Sequence, residues 1–73
     1  MAIVDVKTEI TGTVWKILAV VGSTVGEEDP ILILESMKME IPVAAPERGK
    51  VLEILAAEGD TVTEGSVVAR IEA

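Results

Sequence analysis

Moving the sequence 37 places along itself superimposes one half of the chain on the other. "GTVWKILAVVGSTVGEEDPILILES" (12–36) falls on "GKVLEILAAEGDTVTEGSVVARIEA" (49–73) without a gap. Gly12 meets Gly49, Val14 meets Val51, and Ile17-Leu18-Ala19 meets Ile54-Leu55-Ala56. Gly22 meets Gly59, Thr24-Val25 meets Thr61-Val62, Glu27 meets Glu64, and Glu35 meets Glu72. Val4 and Val6 fall on Ile41 and Val43 by the same shift. Two copies are too few for a solenoid, which needs at least three stacked units. The repeat therefore predicts one domain, residues 1–73, of two similar halves related by a pseudo-two-fold axis.

Each half reads as β-structure. In "AIVDVK", Val4 and Val6 alternate with Asp5 and Lys7, and in "MEIPVA" Met39, Ile41 and Val43 share a side. "VVARIE" sets Val67, Ala69 and Ile71 inward and Arg70 outward, and by the repeat Leu32 and Leu34 face in while Glu35 faces out. Ile31 and Ile33 then face outward. "GTVWKIL" and "GKVLEIL" break the alternation, which predicts a bulge in each. "WKILAVV" also has helical spacing, but its β-branched content and flanking glycines favour a strand. Gly22, Gly26, Gly59 and Gly65 mark turns, and Pro42 suits an edge strand. Eight strands are expected, at 2–7, 12–18, 24–25, 30–36, 39–44, 49–55, 61–62 and 67–72. They predict an all-β flattened barrel of two four-stranded antiparallel sheets. The expected core is Val4, Val6, Leu32, Leu34, Ile41, Val43, Val51, Val62, Ala69 and Ile71.

Composition removes several kinds of chemistry. Cysteine and histidine are both absent, which speaks against disulfides, thiolate metal sites and imidazole general bases. Thirteen acidic against six basic residues give a formal charge of −7, opposed to nucleic acid and to anionic membrane. The longest apolar runs, "ILAVV" and "PILIL", are too short to span a bilayer. "MAIVDVK" reaches charged residues before a signal-peptide core can form, so the chain is expected to be cytoplasmic and complete from Met1. No nucleophile–base pair stands out, and an independent enzyme is the least favoured class. Trp15, the sole aromatic residue, is either a surface packing residue or a partner contact.

Only Met37 and Lys38 separate the fourth and fifth expected strands. A two-residue hairpin of the type I′ class needs positive φ at both central residues, which Asn-Gly accepts easily. Met-Lys does so at about 1 kcal/mol per residue. An unsuitable pair at a tight turn marks Lys38 as a candidate functional residue. The repeat offers no second copy of this turn, since its counterpart would follow Ala73.

With "ESMKME" (35–40) on that tip, the chain resembles biotinyl domains, in which a lysine between methionines carries biotin on its ε-amine. "GTV…GDTVTEG" and the two-half plan resemble the same family along nearly the whole chain. The resemblance is closest to short, free-standing biotin/lipoyl attachment proteins. Longer acetyl-CoA carboxylase carriers often insert a protruding thumb between the second and third strands, where this chain has only "AVVGS". The resemblance implies that a biotin protein ligase acylates Lys38 through biotinyl-adenylate. It also implies that the tethered ureido ring collects CO₂ at a biotin carboxylase and delivers it at a carboxyltransferase. Met37 and Met39 would serve recognition, and Glu35, three residues before the lysine, would help the modifying enzyme choose it. Two alternatives stay open. "ESMK" is also similar to the lipoyl-domain pattern, apart from Met37 where those domains usually have Asp, so lipoate, or either group, is the second reading. The third is an unmodified adaptor, for which the outward Ile31 and Ile33 would supply an apolar patch.

Overall fold

The computed structural model describes residues 2–73. Eight strands form: β1 (Ile3–Lys7), β2 (Gly12–Ile17), β3 (Thr24–Val25), β4 (Pro30–Ser36), β5 (Met39–Ala44), β6 (Gly49–Ile54), β7 (Thr61–Val62) and β8 (Val67–Glu72). They build two antiparallel sheets, ordered β1-β8-β6-β3 and β5-β4-β2-β7. The 37-residue shift converts the first order into the second, strand for strand, which is the expected pseudo-two-fold. "WKILAVV" begins as strand and continues as loop. Pro42 lies on the edge strand β5, where its missing N–H breaks no ladder on the outer side.

The core obeys the same symmetry. Its buried side chains form seven pairs: Val6/Val43, Thr8/Ala45, Val14/Val51, Val25/Val62, Ile31/Val68, Leu32/Ala69 and Leu34/Ile71. Of the expected core, Val4 and Ile41 are only half-buried. They are each other's counterparts on the edge strands β1 and β5.

One outward and one inward assignment were out of phase, for one reason. In the β4–β5 ladder, Leu32 pairs with Val43 and Pro30 with Ala44, so Ile31 is an extra residue. In the β1–β8 ladder, Val6 pairs with Ala69 and Lys7 with Val67, so Val68 is the extra one. These bulges turn Ile31 and Val68 fully inward. Ile31, expected outside, is thus core, and Val67, expected inside, is half-buried while Val68 takes its place. The Ile31 carbonyl accepts from the N–H groups of Leu18 (2.9 Å) and Ala19 (3.0 Å), and the Val68 carbonyl accepts from Leu55 N–H (2.8 Å). The bulges expected in β2 and β6 are present, at Trp15 and Leu52.

Thr8 is the buried polar residue among the described residues, and it is satisfied locally. Its hydroxyl donates to the Ile10 carbonyl at 2.9 Å and accepts from Ile10 N–H at 3.2 Å. On the outer face of the first sheet, Arg70 Nε donates to Asp5 at 3.0 Å and its Nη1 to Glu53 at 2.6 Å. These bonds, Glu53 first and Asp5 second, push the exposed guanidinium above its ordinary range.

One turn departs from the symmetry. Gly65 has φ +86°, and its counterpart is Glu28, with φ +70°. Gly26, expected as the turn glycine, leaves the left-handed position to Glu28. Glu28→Gly is expected to stabilise the fold by roughly 1 kcal/mol, since the glycine carries no Cβ penalty there. Leu34→Ala removes a fully buried side chain and is expected to cost about 2–5 kcal/mol. Urea denaturation followed by circular dichroism measures both, and an unchanged midpoint for Leu34→Ala would contradict the packing.

Candidate carrier site

The β4–β5 hairpin ends in the expected two-residue loop. Ser36 pairs with Met39, leaving Met37 and Lys38 between them. Their φ angles are +52° and +65°, so both non-glycine residues occupy the left-handed region that a type I′ turn requires. The ladder beneath holds them there: Glu35 pairs with Glu40, Leu34 with Ile41 and Ile33 with Pro42. Leu34 anchors the hairpin by being wholly inside the core.

The four sequence-predicted residues come together at this tip. Lys38 is exposed, and the ion pairs among the described residues both belong to Arg70, leaving its ammonium without a carboxylate partner. Met37 is 91% exposed and Met39 62% exposed. Methionines at such exposure contribute almost nothing to the core, so Met39 does not share in packing beside Ile41. Glu35 is exposed on the same hairpin and faces Glu40 directly across the ladder.

Gly12 is a part of the site that the residue pattern did not single out. A Cβ at this position would lie 2.8 Å from the Glu35 carbonyl oxygen, a backbone atom that cannot swing away. The start of β2 therefore runs close beneath the base of the hairpin only because it lacks a side chain. Gly49 repeats the arrangement beneath Glu72, at 2.6 Å from its carbonyl. The two places are at opposite ends of the molecule. From Gly12, β2 runs away from the tip, and the following β3 pairs with Lys50 and Gly49 at the other end. There Ala73 N–H donates to the Ala2 carbonyl at 2.9 Å, so Ala2 and Ala73 lie side by side where the tip's symmetry counterpart would be.

What sets Lys38 apart from the other exposed lysines is its place, at the tip of a two-residue hairpin with positive φ and an exposed methionine on each side. The family profile described as "Biotin-requiring enzyme" matches residues 1–71. The biotin/lipoyl attachment protein of Bacillus subtilis is 41% identical over 63 residues, 86% of each chain. Urea amidolyase of Saccharomyces cerevisiae is 40% identical over 67 residues, 92% of this chain but 4% of that far longer one. The crystal structure of Kluyveromyces lactis urea carboxylase superimposes with a TM-score of 0.93 at 40% identity, over 99% of this chain and 6% of that one. The chain belongs to the biotin/lipoyl attachment family, and as a member it is a carrier rather than a catalyst.

Gly12→Ala forces backbone apart at the hairpin base. It is expected to destabilise the fold by about 1–3 kcal/mol, as overpacking does. It should also shift the amide resonances of Glu35 and Ser36 more than those at Gly49. Two-dimensional NMR reads both, and unmoved Glu35 and Ser36 signals would show that the close approach is not rigid.

Proposed function

We propose that this chain is a biotin carboxyl carrier, loaded on Lys38 by a biotin protein ligase and serving the biotin carboxylase and carboxyltransferase of a biotin-dependent carboxylase. The observation that carries this reading is the strained tip with a methionine on each side of the lysine. Both methionines are exposed, and both positions would be better served, for the fold alone, by small or polar residues. Their side chains are therefore most simply read as contacts for an enzyme that closes over the tip.

The residues fit the modification. Nζ of Lys38 is solvated and free of ion pairs among the described residues, so no bond within the domain must be broken to expose it. Nζ attacks only as the free amine, so any proton on it must first pass to the ligase. Nζ then bonds the acyl carbon of biotinyl-adenylate and AMP leaves, giving an amide and a domain one unit more negative than −7. Biotin supplies a ureido nitrogen that carries a carboxyl group. The domain supplies a fixed point of attachment, which raises the local concentration of the arm at each partner site. The acceptor, taken as an acyl-CoA, is selected by the carboxyltransferase, since the carrier's own residues present only the arm.

Lipoate is the competing load, and the residue at 37 separates the two. Lys38→Arg is expected to fold normally and accept neither group, because a guanidinium is not acylated. Met37→Asp moves the tip toward the lipoyl pattern and should slow biotinylation several-fold while leaving lipoylation equal or faster. Each variant is incubated with a biotin ligase or a lipoate ligase, and intact mass is followed over time. Biotin found on Lys38→Arg would dismiss the site, and equal rates for Met37→Asp and wild type would dismiss the role of the methionine.

A further inference from the structure

The two sheets have equivalent positions on their outer faces, so each serves as a control for the other. Across the first sheet, Asp5, Arg70 and Glu53 stand in register and are joined by two ion pairs. The equivalent row of the second sheet is Pro42, Ile33 and Lys16. The central arginine has become isoleucine and one flanking acid has become proline. Beside this row the β2 bulge places Trp15, 48% exposed, where the β6 bulge has the less exposed Leu52.

The next row diverges too. In the first sheet Ile3, Glu72 and Lys50 are in register, so the glutamate has a cation beside it. In the second sheet the row is Glu40, Glu35 and Thr13. Two carboxylates face each other directly, an unfavourable pairing, with no ion pair to either among the described residues. The first sheet's outer face thus carries a net −1 over these two rows, and its central row is closed by the two Arg70 ion pairs. The second, on the hairpin that carries Lys38, has the same net −1 from Lys16, Glu35 and Glu40, but none of these charges is ion-paired among the described residues, and Ile33 and Pro42 stand where the first sheet has Arg70 and Asp5.

We propose that the outer face of the β5-β4-β2-β7 sheet, centred on Trp15, Ile33 and Pro42 and bordered by Glu35 and Glu40, docks the biotin carboxylase subunit through an apolar surface edged with arginine or lysine. The inference rests on the biotin-carrier reading. Continuity with the tip supports it: Glu35 and Glu40 are one ladder pair below Ser36 and Met39. A partner seated on this face holds the rigid body while the arm alone moves, and its cations separate the opposed carboxylates. An aromatic residue beside aliphatic ones, rimmed by charge, is the usual make-up of an interface centre.

The test uses the full chain, biotinylated on Lys38, with the biotin carboxylase subunit encoded in the same genome, ATP and bicarbonate. ATP turnover is measured against carrier concentration for wild type, Trp15→Ser, Ile33→Arg, Glu40→Lys and, on the opposite sheet, Leu52→Ser. The first three variants should raise KM for the carrier about tenfold or more with kcat little changed, as truncating an interface anchor does. Leu52→Ser should leave both unchanged. In wild-type carrier labelled with 5-fluorotryptophan, the single ¹⁹F resonance of Trp15 should shift on titration with the subunit. Trp15→Ser alters an exposed position and keeps the test open if Ile33→Arg fails to fold. An unchanged KM for Trp15→Ser and Glu40→Lys, or an equal rise for Leu52→Ser, would overturn the proposal. So would a rise confined to the KM of the biotin ligase, which would assign the face to loading. Intact mass of protein from its own cells tests the biotin reading separately: an unmodified or lipoylated Lys38 removes that reading and the proposal with it.

Discussion

Each sheet draws two strands from each half of the chain, and the other features rest on that interleaving. The first sheet takes β1 and β3 from one half and β6 and β8 from the other, and the second sheet takes the complement. Neither half can complete a sheet or bury its apolar face alone. The seven buried pairs belong to one core that draws on both halves. A domain with a single aromatic residue and no cross-link gains its rigidity from this mutual dependence. With so small a core, every aliphatic side chain counts, and long-range strand pairing must be completed before any of it is rewarded.

Rigidity is what the hairpin needs. A left-handed methionine and a left-handed lysine persist at its tip because the ladder below is fixed by Leu34 in the core and by β2 passing close beneath at Gly12. The domain thus holds two residues in a conformation they would not adopt alone. The same economy explains why the hairpin sheet tolerates opposed carboxylates and an apolar row, while its counterpart is closed by the Arg70 ion pairs.

Much of this was legible in the residues. The repeat, the strand alternation and the glycines located all eight strands to within a residue at their ends, and "ESMKME" located the lysine and the strained turn. What escaped has a physical reason in each case. A bulge adds one residue to a strand and reverses the phase of everything on one side of it, so Ile31 and Val68 were hidden from a strict two-residue period. The bulges in β2 and β6 were visible because the alternation fails within the strand itself, whereas those at Ile31 and Val68 lie near strand starts, where little pattern precedes them. Glu28 was hidden because nothing in a glutamate signals positive φ; only its alignment with Gly65 does. Gly12 looked like an ordinary strand opening, because close approach of a carbonyl from another strand leaves no trace in local sequence.

The pairing of Ala2 with Ala73 at the pole opposite Lys38 has a topological consequence. The two ends of the described chain already lie side by side, held by strands β1 and β8, so a longer polypeptide can enter and leave this fold at one point without stretching or crossing it. The unit behaves as a cassette. It can be joined at its base to a longer chain, as the far longer urea amidolyase and urea carboxylase relatives illustrate, with the Lys38 hairpin at the other pole. The body, about 36 Å along its longest axis, then becomes a stiff spar between the splice and the lysine. Held at that pole, a body of this length sets Lys38 on an arc far wider than the side chain could sweep by itself.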